Sequence, residues 1–279
     1  MPRTMRVHQG IARLAALLLL LASAADALAQ QRPPYRERPD GLGYERSAPR
    51  GEREHRPGEF DYYLLALSWS PTYCADAGDR RRDPQCSPRG RPYAFVLHGL
   101  WPQYERGFPR NCAGADRAWV PGPVADRMLD IMPSRRLVFH EYRTHGTCSG
   151  LDPEAYFDLA RRLYEKVTIP RRYVGLVDER TMVGPAELIA EFVAANPGLG
   201  PDMVAVQCGG PGNRLREVRI CFTKAGAFRP CGRNEDQRRL CAADRMYVPP
   251  VRAGGGGPER RGQDRPQELL PGPREERRQ

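Results

Sequence analysis

The chain lacks the patterns that define several common classes of protein. It has no Cys-x-x-Cys pair, which argues against a cysteine-based zinc site. It has no His-Glu-x-x-His segment, which excludes a zincin-type metal site. After the N-terminal region, no stretch approaches the ~20 apolar residues that are needed to cross a bilayer. An internal repeat is also missing, so repeat architectures are excluded.

Two stretches are almost devoid of aliphatic residues. Residues 30–58 and 253–279 consist largely of Arg, Pro, Glu, Gly and Gln. Such segments cannot bury enough apolar surface to offset the entropy lost on ordering. We therefore expect two disordered arms that flank one domain at residues 59–252, a comfortable length for a single hydrophobic core.

The N-terminal segment, residues 1–29, has the pattern of a secretory signal peptide. Arginines precede an apolar run from Leu14 to Ala22, and small residues follow up to Ala29. The run is too short for a membrane anchor, which is the alternative interpretation. We expect a mature protein that starts near Gln30, is secreted or periplasmic, and lacks a membrane segment. The net charge of +10 suits a polyanionic partner, but it also suits many other secreted proteins.

Histidine is scarce, yet two of the five histidines lie in residues 139–150, Phe-His-Glu-Tyr-Arg-Thr-His-Gly-Thr-Cys-Ser-Gly. On a helix, Glu141 and His145 share a face and His140 lies one stripe away, so all three can line one concavity. His140 and His145 diverge by roughly 140° around the helix, which disfavours a shared zinc ion. Imidazoles beside a carboxylate suit proton transfer near neutral pH. A solvated helix end is the alternative.

A second histidine segment reads Phe-Val-Leu-His-Gly-Leu-Trp-Pro-Gln at residues 95–103. The apolar run predicts a short strand with His98 at its end, a position from which scaffolds often present side chains to ligands. Trp101 offers a flat face on which a base can stack. Taken singly, such a His is more often structural and such a Trp more often part of a core.

The two segments together resemble the active-site segments of the ribonuclease T2 family, whose patterns are close to Phe-x-x-His-Gly-Leu-Trp-Pro and His-Glu-(Trp/Tyr)-x-Lys-His-Gly-Thr-Cys. Residues 60–74 are similar to the first core strand of that family, and residues 215–224 to a late strand. The resemblance covers roughly residues 59–248.

The resemblance implies a metal-independent endoribonuclease that needs no cofactor. It would cleave single-stranded RNA through a 2′,3′-cyclic phosphate to a 3′-phosphate, with broad base specificity, and we expect a monomer. By analogy, His145 would be the general base and His98 the general acid. His140 and Glu141 would contact the phosphate in the transition state.

Substrate-binding residues follow from the same resemblance. Trp101, with Tyr104 or Phe108, would stack on the base 5′ to the cut, and Gln103 would contact that base. The sequence departs from the family pattern at Thr144, where Lys is common. Arg143 is the nearest substitute for the missing cation in the sequence.

Two alternatives stay open at this point. The missing lysine favours a catalytically weak, secreted RNA-binding or toxin-like protein of the same fold. A metal-dependent hydrolase that uses His98, His140 and Glu141 as ligands is the other.

All eight cysteines lie in the expected domain. An even number in an exported chain predicts four disulfides, although the sequence alone allows on the order of 100 pairings. The family resemblance implies the pairs Cys112 with Cys148, Cys208 with Cys241, Cys221 with Cys231, and Cys74 with Cys86.

The coarse secondary structure predicts an α+β fold with an antiparallel sheet packed with helices, because strands and helices do not alternate regularly. The predicted strands are residues 62–69, 93–98, 203–207 and 217–222. The predicted helices are residues 124–132, 139–145, 153–166 and 185–195.

Overall fold

A mixed β-sheet forms the centre of the computed structural model, which describes residues 55–76, 83–87, 91–112, 118–174 and 181–251. The predicted signal peptide, the C-terminal arm and residues 30–54 of the N-terminal arm lie outside these ranges. Within the described ranges, no helix has the length and apolar character needed to span a membrane.

The sheet has the strand order β2-β1-β5-β6-β3, and β4 pairs with β5. Most pairings are antiparallel, but β5 and β6 pair in parallel through Arg214 and Tyr247, so the sheet is mixed rather than purely antiparallel. The strands are β1 (Tyr62–Trp69), β2 (Phe95–Gln103), β3 (Met182–Val183), β4 (Val204–Gly209), β5 (Arg214–Phe222) and β6 (Met246–Tyr247).

The helices described are α1 (Ser70–Ala75), α2 (Gly122–Arg127), α3 (Arg135–Thr144), α4 (Pro153–Lys166), α5 (Pro185–Ala195) and α6 (Gln237–Leu240). Side-chain caps fix the starts of the two helices nearest the histidine segments. The hydroxyl of Ser134 accepts from the backbone nitrogen of Leu137 before α3, and Asp152 accepts from that of Ala155 before α4.

The two faces of β1 bury different surfaces. Leu65, Leu67 and Trp69 belong to the main hydrophobic core, which includes buried residues of α4 and α5. Leu64 points the other way, into a small cluster with Tyr62 and Cys221 against which Trp101 packs. Because side chains alternate along a strand, the sheet has one face for the core and one for a polar site.

The sequence predicts some elements better than others. β1, α4 and α5 have the predicted bounds. β2 was predicted to end at His98, but it continues to Gln103, and α2 ends at Arg127, before the predicted residue 132. α3 starts earlier than predicted, at Arg135, and ends at Thr144, so the first half of the histidine segment forms the end of the helix and His145 follows it directly.

Four disulfides cross-link the domain, and none of the cysteines is free. They join Cys74 to Cys86, Cys112 to Cys148, Cys208 to Cys241, and Cys221 to Cys231, the pairing implied by the family resemblance. The Cys112–Cys148 bridge ties the loop after β2 to the turn that follows α3.

Candidate active site

His98 lies inside β2, at a β-bulge, and not at a strand end as the sequence suggested. Leu97 pairs with Leu67 and Gly99 with Ala66, which leaves His98 as the extra residue. A bulge changes the alternation of side chains along a strand. As a result Gly99 and Trp101 stand opposite Ala66 and Leu64, on the face of the sheet away from the main core.

A buried carboxylate on β5 holds the ring of His98. Nδ1 of His98 lies 2.6 Å from Oε1 of Glu217. The other oxygen of Glu217 accepts a hydrogen bond of 3.0 Å from Nε of Arg219. Burial disfavours the imidazolium, but the hydrogen bond to Glu217 and the negative charges of Glu141 and Glu217 outweigh it, so the pKa of His98 is raised.

Helix α3 contributes Glu141, which is 1% exposed. Its Oε2 accepts a hydrogen bond of 2.7 Å from the indole nitrogen of Trp101, and its Oε1 lies 3.7 Å from Nε2 of His98. Burial raises the pKa of Glu141, although the positive charge of His98 and the hydrogen bond from Trp101 oppose the shift. Glu141 therefore carries a proton at higher pH than an exposed carboxyl does.

His145 follows directly after α3 and packs beside Trp101, with their ring centroids 5.1 Å apart. Its Nδ1 is buried and has no hydrogen-bond partner within the described part of the chain. Burial, followed by the positive charges of His98, His140 and Arg110, lowers the pKa of His145 to about 3. His145 is thus neutral at any pH near neutrality.

The other predicted residues of the second segment lie at the edge of this group. His140 is exposed and acts on His145 through its charge. Arg143 is exposed, and its carbonyl accepts a hydrogen bond from the hydroxyl of Thr147. Thr144 is partly buried, and its carbonyl accepts a hydrogen bond of 2.8 Å from the backbone nitrogen of Asn111.

A cleft of about 500 Å³ opens beside His145. Gln103 is oriented in it by Asn234, whose Nδ2 donates to Oε1 of Gln103 over 3.0 Å. Tyr104 does not line the cleft and instead contacts His55 through its hydroxyl, whereas Phe108 does line it. The lining includes Trp101, Gln103, Phe108, His145, Arg219 and Asn234.

Sequence reasoning did not single out Glu217, Arg219 or Asn234. Glu217 and Arg219 are charged residues two positions apart in the segment Leu-Arg-Glu-Val-Arg-Ile. Residues two apart on a strand share a face, so this spacing is the signal in the sequence for a polar face on β5. Asn234 carries no such signal, because its role comes from hydrogen bonds to Gln103 and to the backbone of Tyr104 and Gly107.

The structure does not assemble the proposed metal ligands His98, His140 and Glu141 into a metal site. Across the described ranges, no group of three or more His, Cys, Asp or Glu side chains has a metal-binding arrangement.

Comparison with known proteins gives the family. The model of the ribonuclease T2 family matches residues 60–231, which hold both histidine segments, β5 and the cleft residues up to that point. The chain belongs to the ribonuclease T2 family. As a member of that family, it is an endoribonuclease.

Curated relatives agree with this assignment. A ribonuclease of Aeromonas hydrophila is 37% identical over 193 residues, which is 65% of this chain and 80% of the relative. Ribonuclease I of Escherichia coli K12 is 28% identical over 197 residues, 56% of this chain and 64% of the relative.

Solved structures show the same fold. Trichomaglin, described as an S-like ribonuclease, superposes with a TM-score of 0.54 at 22% identity, covering 70% of this chain and all of trichomaglin. RNase NT in complex with 5′-AMP gives a TM-score of 0.50 at 22% identity, covering 69% of this chain and 99% of RNase NT. The α+β fold is therefore confirmed.

Proposed function

We propose that this ribonuclease cleaves single-stranded RNA by metal-independent transphosphorylation, with His145 as general base and His98 as general acid. The observation that carries the proposal is the placement of two imidazoles from different segments on either side of Trp101, whose ring centroid lies 5.2 Å from that of His98 and 5.1 Å from that of His145. The pKa of His145 is lowered to about 3 and that of His98 is raised. Environments that drive two titratable groups apart in this way assign one group to accept a proton and the other to donate it.

In the first step, neutral His145 removes the proton of the 2′-hydroxyl. The 2′-oxygen attacks phosphorus, the bond from phosphorus to the 5′-oxygen breaks, and His98 gives its Nε2 proton to the departing 5′-oxygen. The products are a 2′,3′-cyclic phosphate and a 5′-hydroxyl. Each proton transfer contributes about 100- to 10,000-fold to the rate.

The second step is the slow hydrolysis of the cyclic phosphate. Neutral His98 now takes a proton from water, the hydroxide attacks phosphorus, and His145 returns its proton to the 2′-oxygen. The product is a 3′-phosphate, and both imidazoles recover their starting protonation.

Glu141 and His140 stabilise the charge that develops on the phosphorane. Oε1 of Glu141 lies 3.7 Å from Nε2 of His98, the nitrogen that gives its proton to the leaving oxygen. Burial raises the pKa of Glu141, so this carboxyl carries a proton to higher pH than an exposed one, and in that form it donates a hydrogen bond to a phosphoryl oxygen. His140 is exposed on the same helix and adds a donor on the solvent side.

The cleft beside His145 binds the base 5′ to the cut. Trp101 and Phe108 offer stacking surfaces. Gln103 is 3% exposed and its Oε1 accepts from Asn234, so it contacts the base edge through Nε2. Stacking tolerates every base, which supports broad specificity. The four disulfides support a secreted or periplasmic location, and a monomer suffices because every proposed catalytic group comes from one chain.

The second candidate is a weak, RNA-binding member of the same fold. Thr144 favours it, because the neutral side chain removes a cation that the family pattern places beside the last histidine. A turnover assay on RNA separates the two functions directly.

The test is to incubate the purified mature protein with single-stranded RNA and with DNA, each with and without EDTA. We expect RNA to be degraded equally in both buffers and DNA to stay intact. His98→Ala and His145→Ala should each lower turnover at least ~100-fold. His55→Ala is the matched control, because His55 contacts Tyr104 and lies outside the cleft. Cleavage of DNA at a similar rate, or loss of activity in EDTA, contradicts the mechanism.

A further inference from the structure

A chain of polar contacts runs across the sheet behind His98. Nδ1 of His98 contacts Glu217 at 2.6 Å, Arg219 donates to Glu217, and an Nη nitrogen of Arg219 also donates to Oε1 of Gln207 over 2.8 Å. The three partners come from β5 and β4. Glu217 is buried, with a side chain 10% exposed, whereas the side chain of His98 is 35% exposed and can reach a substrate.

The direction of the first hydrogen bond follows from its chemistry. An ionised carboxylate can only accept, so Nδ1 of His98 carries the proton that is shared with Glu217. The pKa of Glu217 is lowered, because the hydrogen bond and positive charge of His98 and the charge of Arg219 outweigh burial. Glu217 is therefore ionised wherever His98 is active.

We propose that Glu217 is a positioning residue for the general acid: it locks the ring of His98 so that Nε2 alone faces the leaving oxygen, and it holds the imidazolium ready to donate. This inference rests on the proposed function of His98. Glu217 does not touch the substrate itself and acts through His98, while Arg219 keeps Glu217 in place.

Two consequences follow for the chemistry. Once His98 has released its Nε2 proton, the remaining proton stays on Nδ1 in its bond to Glu217, so no ring flip or tautomer change is needed before the second step. The negative charge of Glu217 also keeps His98 protonated to higher pH than a free imidazole would be.

The charged groups around His98 come from two sides of the site. Glu217 and Arg219 face it from β5, and Glu141 faces it from α3. His145, after α3, is neutral near neutrality. Because Glu141 bonds to Trp101 and lies 3.7 Å from Nε2, Glu217 is the carboxylate that controls Nδ1.

The test uses Glu217→Gln, which keeps the shape and an acceptor oxygen but removes the charge. The first substrate is a dinucleoside monophosphate, whose 5′-oxygen needs a proton to leave. The second is a uridine 3′-(4-nitrophenyl phosphate), whose leaving group needs none. We expect kcat on the first to fall at least about tenfold with KM unchanged, and kcat on the second to stay within about twofold.

The pH profile is the second readout. In Glu217→Gln, the loss of kcat/KM at high pH, its basic limb, should move to lower pH, because His98 loses its proton more easily. The loss of kcat/KM at low pH, its acidic limb, should not move. Glu217→Asp should restore part of both kcat and the basic limb. Glu191→Gln is the matched control, since Glu191 lies on α5, pairs with Arg172 and does not line the cleft.

The histidine can also be followed without turnover. In the wild-type protein, an NMR titration of His98 should give a pKa above the ordinary 6.5, and the value should drop in Glu217→Gln. Equal losses on the two substrates, an unmoved basic limb, or a wild-type His98 pKa at or below 6.5 would overturn the proposal. The NMR result stands even if the protein proves inactive on RNA, so the two failures are distinguishable. If Glu217→Gln misfolds, the wild-type spectrum still shows whether neutral His98 keeps its proton on Nδ1, which is the tautomer that the bond to Glu217 requires.

Discussion

The indole nitrogen of Trp101 donates a 2.7 Å hydrogen bond to Glu141, and this contact joins the central sheet to helix α3 at the site. The contact passes directly over Gly99. A Cβ atom at residue 99 would overlap both the carboxylate of Glu141 and the indole nitrogen of Trp101. The glycine of the first histidine segment is thus required by the close approach of the second segment.

We predict that Gly99→Ala lowers turnover at least ~100-fold, because Glu141 and Trp101 must both move. Turnover on RNA and the thermal unfolding midpoint should be measured together. Gly122→Ala is the control, because nothing lies within 4 Å of a Cβ atom there. If Gly99→Ala and Gly122→Ala turn over RNA at the same rate, the contact between the sheet and α3 over Gly99 is not needed for activity.

The pH dependence of kcat/KM gives a second prediction. His145 must be neutral, so activity should be lost as pH falls through about 3. His98 must be protonated, so activity should be lost as pH rises through its raised pKa, above 6.5. In Glu141→Gln, the basic limb should move to lower pH, because His98 loses one of the two carboxylates that raise its pKa. A wild-type basic limb centred below 6.5, or a limb that does not move in Glu141→Gln, would contradict the assignment.

The amount that could be predicted from sequence differs from residue to residue. His98, Glu141 and His145 are found by their motifs, and the α+β class follows from the irregular order of elements. The bulge that turns His98 to the site could not be predicted, because it depends on how β2 registers against β1. Glu217 lies 119 residues from His98 in the chain, and the two come together because β2 and β5 both pair with β1.

The Cys112–Cys148 disulfide should stabilise the site as well as the fold. It spans 36 residues, and by the chain-entropy estimate it contributes roughly 3 to 4 kcal/mol. Replacing both cysteines by alanine should lower the unfolding midpoint and also lower turnover in the folded protein, because the turn after His145 loosens. The control is the double alanine variant of Cys74 and Cys86, which should lower the midpoint and leave turnover of the folded protein unchanged. If the folded Cys112 and Cys148 double variant turns over RNA as fast as the wild-type protein, the bridge stabilises the fold and does not position the site.

Thr144 gives the prediction most specific to this chain. Where the family pattern has Lys, the neutral side chain leaves one charge-assisted hydrogen bond to the phosphate unmade. Thr144→Lys should therefore raise kcat up to about tenfold, if the restored contact is worth ~1.4 kcal/mol, with KM unchanged.

Two neighbouring arginines decide how that result is interpreted. Arg143 is exposed beside Thr144, and Arg110 is close enough for its charge to lower the pKa of His145. If Thr144→Lys is neutral while Arg143→Ala or Arg110→Ala costs tenfold, the arginine already supplies the charge. If all three changes are neutral, His140 and Glu141 stabilise the phosphorane without a further cation.

The most direct measurement of the mechanism uses a DNA oligonucleotide that contains one ribonucleotide, incubated with the wild-type protein in EDTA and analysed by mass spectrometry over time. Attack by a 2′-hydroxyl predicts a single cut, 3′ to the ribonucleotide, which gives first a 2′,3′-cyclic phosphate and later a 3′-phosphate. Cuts elsewhere in the DNA, or a 3′-phosphate that forms with no preceding cyclic phosphate, would contradict the account.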